Sequence, residues 1–206
     1  MFFQPGDGSP GSAIPLNALI VPRPIGWIST RDLEGTANLA PYSFFNAVAY
    51  TPPQVMFAAT SAHVRGGPKD SIRNAIDTGE FVINMATLAL REQMNATAVA
   101  APSDVDEFAH AGLTKAPSRL VTPPRVAESP VHLECRTTQS LELPSTDPPS
   151  PNTAVFGQVV GVHIDDTCIR DSHLELTRLH PIGRLGYQDY VDVDNSFNMP
   201  RPTWTT

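Results

Sequence analysis

Cysteine is scarce in this sequence: Cys135 and Cys168 are the only two among 206 residues, and they form no CxxC pair. The default for such a pair is two reduced, buried thiols. Basic excess is lacking too. The net charge of −7 argues against nucleic acid as a main partner, because a phosphate backbone attracts basic surfaces. No apolar run approaches the roughly 20 residues that a membrane helix needs, so no membrane association is expected. The opening MFFQPGDGSPGS has neither a basic start nor an apolar stretch and does not read as an export signal. Together these absences make a cytoplasmic protein the expectation.

Chemical signatures are also missing. No GxGxxG follows a strand, which removes a Rossmann dinucleotide site. There is no HExxH and no GxSxG elbow. The six histidines, His63, His110, His132, His163, His173 and His180, show no metal-ligand spacing, so no metal is expected.

What is present is enough apolar residue, 41%, for a core of one domain. Twenty-one prolines punctuate it. Proline lacks an N–H and is rare inside central strands and helices, so its clusters divide the chain into segments. Residues 1–13 read as a flexible N-terminal segment, and 14–19 as a short helix or turn. Strands are expected over 25–30, 36–43 and 54–60, the first two joined by a turn at Gly35. Ile72, Ala75 and Ile76 stand at helical spacing, starting near Pro68 and stopping at Gly79. A strand at 81–84, a helix over 88–100 and a shorter helix over 105–111 follow. Residues 131–143 and 154–164 read as two long strands of a hairpin across the proline-rich PSTDPPSPN. The sum is mostly antiparallel strands with a few helices, and a closed or nearly closed β-barrel protects such edges best.

Two stretches carry possible chemistry. Gly66-Gly67-Pro68-Lys69-Asp70-Ser71 sets glycines and a lysine at the first turn of a helix, where free N–H groups and the dipole favour an anion. It is not a Walker A loop, and an ordinary helix start with an Asp or Ser cap and a solvated lysine fits the spacing equally. In Asn38-Leu39-Ala40-Pro41-Tyr42-Ser43, Pro41 removes a ladder donor and is expected to interrupt pairing, freeing polar groups for a flat ligand. A solvent-facing edge strand fits this composition as well. Trp27 and Tyr42 have rings that suit stacking, though aromatic residues on strands more often belong to the core.

At these residues the sequence is recognisable. PRPIGWISTRDLEGTANLAPYSFFNAVAYTPPQVMFAATS, then PKDSIRNAIDTGEFVINMAT, and later IGRLGYQDYVDVDNSFNMPRP, resemble the flavin reductase-like family over about residues 14–202. The resemblance implies a mainly β fold with peripheral helices, an antiparallel six-stranded split β-barrel of the FMN-binding type. It implies a domain over 14–190, a tail over 191–206 packed on the domain or a partner, and a homodimer. Carried over by position, the flavin site is Ser29 and Thr30, Asn38, Leu39, Ala40 and Ser43, and Lys69, Asp70 and Ser71. Thr60, Ser61, Ala62, His63 and Arg65 are neighbours. The cofactor implied is FMN, with FAD as the variant, and NAD(P)H is the electron donor. No side-chain acid or base is strictly required for hydride transfer to flavin; His63, His180 and Arg184 are the polar residues to inspect first. A flavin-dependent monooxygenase or another electron acceptor is the implied downstream partner. The rival readings are an FMN-binding electron carrier without NAD(P)H reductase activity, and a barrel that binds a different flat ligand.

Overall fold

The computed structural model describes residues 1–60, 62–146 and 151–204. Ser61 and the Asp147–Ser150 part of the proline-rich loop lie outside them. The chain begins with 3₁₀ turns at Pro10–Ala13 and Leu16–Ala18. Then come β1 (Arg23–Pro24), β2 (Gly26–Arg31), β3 (Ala37–Tyr42), β4 (Phe45–Tyr50), β5 (Pro53–Ala59), α1 (Asp70–Asp77) and β6 (Glu80–Met85). A 3₁₀ turn, Leu88–Leu90, leads into α2 (Arg91–Ala96), followed by α3 (Glu107–His110). The short β7 (Lys115–Ala116) and β8 (Arg125–Val126) pair with each other. The long β9 (Val131–Leu143) and β10 (Asn152–Ile164) form the central hairpin. The chain closes with β11 (Ile169–Arg170), β12 (His173–Leu174), α4 (Leu176–Leu179), β13 (Ile182–Arg184) and β14 (Tyr190–Asp192).

The main sheet is antiparallel in the order β3-β2-β6-β9-β10-β5-β4. It has seven strands where six are expected. Its two edge strands, β3 and β4, are joined only by Ser43 and Phe44. Counted as one strand bent at that point, they restore six. The bend brings both edges of the open ladder to one place, and the barrel is split there. No separate β4 is legible in FNAVAY: alanine and asparagine are poor strand formers, and the strand is largely exposed, so no buried alternation marks it.

Three other expectations are corrected. Pro41 does not interrupt pairing with β2, because the register runs without a shift from Gly26↔Tyr42 to Arg31↔Ala37. A proline is tolerated there because β3 is an edge strand. The helix over 88–100 is cut to Arg91–Ala96, and Thr97 turns its hydroxyl back onto the Met94 carbonyl while accepting the Trp27 indole N–H at 2.9 Å. Of the two free thiols only Cys135 is buried, its pKa pushed up by burial; Cys168 lies partly open on a 3₁₀ turn.

Strand alternation divides the apolar residues into two cores. Ile28, Tyr42, Val55, Phe57, Phe81 and Val155 fill the barrel, where the Tyr42–Phe57 and Phe57–Phe81 ring centroids are 5.3 and 5.2 Å apart. Gly157 sits at a register shift where a Cβ would come within 2.5 Å of the Phe81 ring, so the barrel's width depends on that missing side chain. Trp27, Leu39, Met94, Phe108, Val126 and Ile182 form the second core, beneath α2 and α3. The second core presses these helices against one flank of the sheet and forms one side of the site. Beyond β14 the described tail is mostly exposed, with Phe197 81%, Met199 76% and Trp204 91% accessible.

Candidate flavin site

A cavity of about 330 Å³ opens where the split in the barrel meets the start of α1. Its walls are β3 and the bend after it, the end of β5, residues 62–64, the first turn of α1, the segment 97–101 and Glu107. Alanines supply much of the lining, among them Ala40, Ala58, Ala59, Ala62, Ala98 and Ala101. Methyl-sized walls leave room for a flat ring to approach the backbone.

Of the residues singled out in the sequence, Asn38, Ala40, Ser43, Thr60, Ala62, His63, Lys69, Asp70 and Ser71 line this cavity. Ser29, Thr30, Leu39 and Arg65 do not. Successive residues of a strand point to opposite faces, so Asn38 and Ala40 reach the cavity while Leu39 is buried in the second core. Thr30 is buried behind Asn38. Ser29 is fully buried and donates its hydroxyl to the Pro124 carbonyl at 2.5 Å. Arg65 is exposed and pairs with Asp104 at 2.9 Å. Ser61 lies outside the described residues. His180 and Arg184 stand elsewhere: Arg184 is on the small sheet of β1, β13 and β14, and His180, the residue after α4, faces Asp192 at 2.9 Å.

Glu107 is the residue that sequence reading misses. It is buried, accepts the Leu39 amide at 3.1 Å and the Asn38 side-chain amide at 3.0 Å, and lines the cavity. Burial pushes its pKa up, against those two hydrogen bonds and with the negative charge of Asp70 adding to the rise. Asn38 in turn accepts the Ser71 hydroxyl at 2.7 Å, so α3, β3 and α1 are locked through one amide. The only local mark on Glu107 is the Asp106 cap of its short helix, 68 residues from the Leu39 amide it accepts.

The remaining charged groups are likewise engaged. Asp70 is 7% exposed, accepts the Ser103 hydroxyl at 2.9 Å, is neutralised by Arg73, and lies 3.3 Å from His63 Nε2. His63 Nδ1 accepts the Arg65 amide, which puts the ring proton on Nε2, facing Asp70 and the Ala101 carbonyl. Ser43 accepts from Arg23 at 3.3 Å. Tyr42 is kept protonated, its pKa pushed up to about 12 by burial. Lys69 is the exception. It is half-buried and lines the cavity, and its ammonium has no hydrogen bond or ion pair with any described residue. It is the residue before α1, where it makes no side-chain cap; its carbonyl accepts the Ile72 and Arg73 amides, and the Asp70 and Ser71 amides have no acceptor among the described residues. The acids and the histidine of the cavity have partners already, which leaves one cation and the helix-start amides beside alanine-lined walls.

A family model described as a flavin reductase like domain matches residues 18–178. The chain belongs to the flavin reductase-like family. It is 37% identical over 174 residues to an uncharacterized protein of Aquifex aeolicus, covering 84% of this chain and 85% of that one. It is similar to the crystal structure of nitrilotriacetate monooxygenase component B from Bacillus cereus, with a TM-score of 0.88 at 28% identity, covering 97% and 98% of the two chains. Flavoredoxin of Desulfovibrio vulgaris shares the fold, with a TM-score of 0.75 at 20% identity over 96% and 97%. The flavin reductase-like split barrel is thus the fold of this chain. Among the described residues no cluster of ligands suits a metal ion, and no helix is long and apolar enough to cross a membrane.

Proposed function

We propose that this protein binds FMN in the cavity and acts as an NAD(P)H-dependent flavin oxidoreductase. The observation that carries the reading is the uncommitted Lys69 at the start of α1, on the rim of an alanine-lined cavity whose other charged groups are already paired. A phosphomonoester meets there a cation and helix-start amides, which is what a phosphate needs. The cavity's volume of about 330 Å³ is at the small end for ligand sites and leaves part of a flavin uncovered for a second reactant.

Bound flavin would supply the redox chemistry, accepting a hydride at N5 from the nicotinamide C4. The chain supplies binding and orientation. Lys69 and the α1 amides hold the phosphate. Asn38 is fixed by Glu107 and Ser71, so the edge of β3 cannot shift against α1. His63 and Asp70 hold the loop before α1 to the segment at Ala101. None of these residues is asked to move a proton, in keeping with their existing partners. A homodimer in the cytoplasm, delivering electrons to a flavin-dependent monooxygenase or another acceptor, completes the reading. The likeness to a monooxygenase component B supports that class of partner.

The test is an absorbance spectrum of the purified protein with FMN, followed by anaerobic NADH and then NADPH. Flavin bands that bleach with either donor support the reductase. Bands that persist with both point instead to an electron carrier, and no FMN binding at all overturns the assignment of the cavity.

A further inference from the structure

A second cavity lies between α2 and the β13–β14 pair. At about 820 Å³ it is the larger of the two, and Ala98 lines both, so they share a wall. Arg91 and Asn95 of α2 face it from one side, and Arg184, Gln188 and Tyr190 from the other. Its two acids have partners: Glu92 is 3.3 Å from Arg91, and Asp192 is held by His180.

Arg184 has no carboxylate partner among the described residues. Its guanidinium lies 4.5 Å over the Tyr190 ring and donates to the Tyr187 carbonyl. Directly across the β1–β13 ladder stands Arg23. Arg23 is only 6% exposed, and its guanidinium meets the carbonyls of Asn17, Ile20 and Leu185 and the Ser43 hydroxyl, again with no carboxylate. Burial, and then the charge of Arg184, lower the Arg23 pKa. Like charges at opposed sheet positions are unfavourable. A chain of net charge −7 thus keeps two facing arginines without an acid, one of them on a cavity wall. An anion in the cavity would offset that repulsion.

We propose that this second cavity binds the nucleotide half of the electron donor, with phosphate on Arg184 and Arg91 and the purine against the Tyr190–Arg184 stack; the identity of the ligand as a donor rests on the reductase reading. Inorganic phosphate alone would leave most of about 820 Å³ unused, whereas a nucleotide suits a site of that size. A guanidinium laid on an aromatic ring is a flat, cationic surface that a purine can stack against. Arg91 is exposed and its pairing with Glu92 is weak, so it can turn to a phosphate cheaply. The shared wall at Ala98 sets this nucleotide beside the cavity assigned to flavin, as a donor that must reach the flavin requires.

Calorimetric titration of the full chain with ADP, without flavin or nicotinamide, tests the site. ADP is expected to bind, with affinity falling on the order of tenfold in Arg184→Ala and several-fold in Arg91→Ala, while the FMN dissociation constant holds. In the reductase assay the same variants should raise KM for NAD(P)H with kcat retained. Wild-type protein that does not bind ADP, or variants that bind it as tightly as wild type, would overturn the site. If Arg184→Ala does not fold, the exposed Arg91 side chain decides by the same criterion. A protein that oxidises NAD(P)H with KM unmoved in the variants loses this site and keeps the reductase reading. One that binds ADP through these arginines but takes no FMN keeps the site and loses the reductase reading.

Discussion

Two groups of buried polar side chains stand on the sheet, and they differ in what they leave unpaired. Around the first cavity, Asn38, Ser71 and Glu107 bond to one another and to the Leu39 amide, Asp70 is held by Ser103, Arg73 and His63, and Lys69 is left over, facing open space. In the other group, Ser29, Asn84, His132, Glu134 and His163 hold down the 119–126 loop. Glu134 is fully buried and accepts the Arg119 and Leu120 amides at 2.8 and 2.6 Å and the His163 ring N–H. Asn84 accepts the Val126 amide at 2.8 Å, and His132 donates to the Val126 carbonyl at 2.8 Å. Burying polar groups is costly unless they are satisfied, so either group could pass for a site on composition alone. Only the first leaves a charge without a partner beside a cavity. The second spends its hydrogen bonds on its own loop and reads as structure.

The contrast has measurable consequences. The largest effect should come from Glu134→Ala, which strands two loop amides and an imidazole. It is expected to lower unfolding stability in urea by about 4 kcal/mol while the remaining folded protein binds FMN as before. If FMN affinity falls together with stability, the two groups are coupled and the contrast fails.

A smaller effect is expected from pH. Burial lowers the His132 pKa from 6.5 to about 4, and its Nδ1 has no hydrogen-bond partner among the described residues. The unfolded chain therefore binds a proton that the folded chain refuses. The stability tied to His132 is fully present above about pH 6.5 and is lost as pH falls towards 4, an effect on the order of 2–3 kcal/mol. Urea midpoints measured across that window should slope in the wild type and flatten in His132→Gln. An equal slope in both would assign the titration to another group.

Lys69→Ala should have the smallest effect and the opposite pattern. FMN binding is expected to weaken by about 2 kcal/mol, roughly thirtyfold, with folding stability moved by no more than about 0.5 kcal/mol. An unchanged FMN dissociation constant would remove Lys69 from the phosphate site. A large loss of stability would mean that Lys69 has a structural partner after all.

Much of the frame is legible in the sequence. The β9 and β10 hairpin carries long runs of strand-forming residues, and its limits fall within two residues of those read from the pattern. Ile72, Ala75 and Gly79 mark α1 by spacing alone. β4 was not legible, because an exposed edge strand has no buried face to impose alternation. The helical character of 88–100 was legible but not its limits: a 3₁₀ turn precedes the α-helix, and the early stop is a tertiary contact between Thr97 and Trp27. In the site, Asn38, Ala40, Ser43, Lys69, Asp70 and Ser71 could be named from their motifs. Which of their neighbours face the cavity depended on strand alternation and register, and that is why Ser29 and Leu39 are turned away from it.

The sequence by itself determined the family, the antiparallel strand content and the helix start that carries Lys69, because local spacing and motif order are properties of the chain. Only the tertiary structure decided which polar groups are paired. Glu107 reaches Leu39 across 68 residues, and Arg23 faces Arg184 across a strand pair formed by distant segments. Hydrogen bonds and charge repulsion act over a few ångströms whatever the separation along the chain, so the accounting that distinguishes a binding site from a structural latch exists only once the chain has folded.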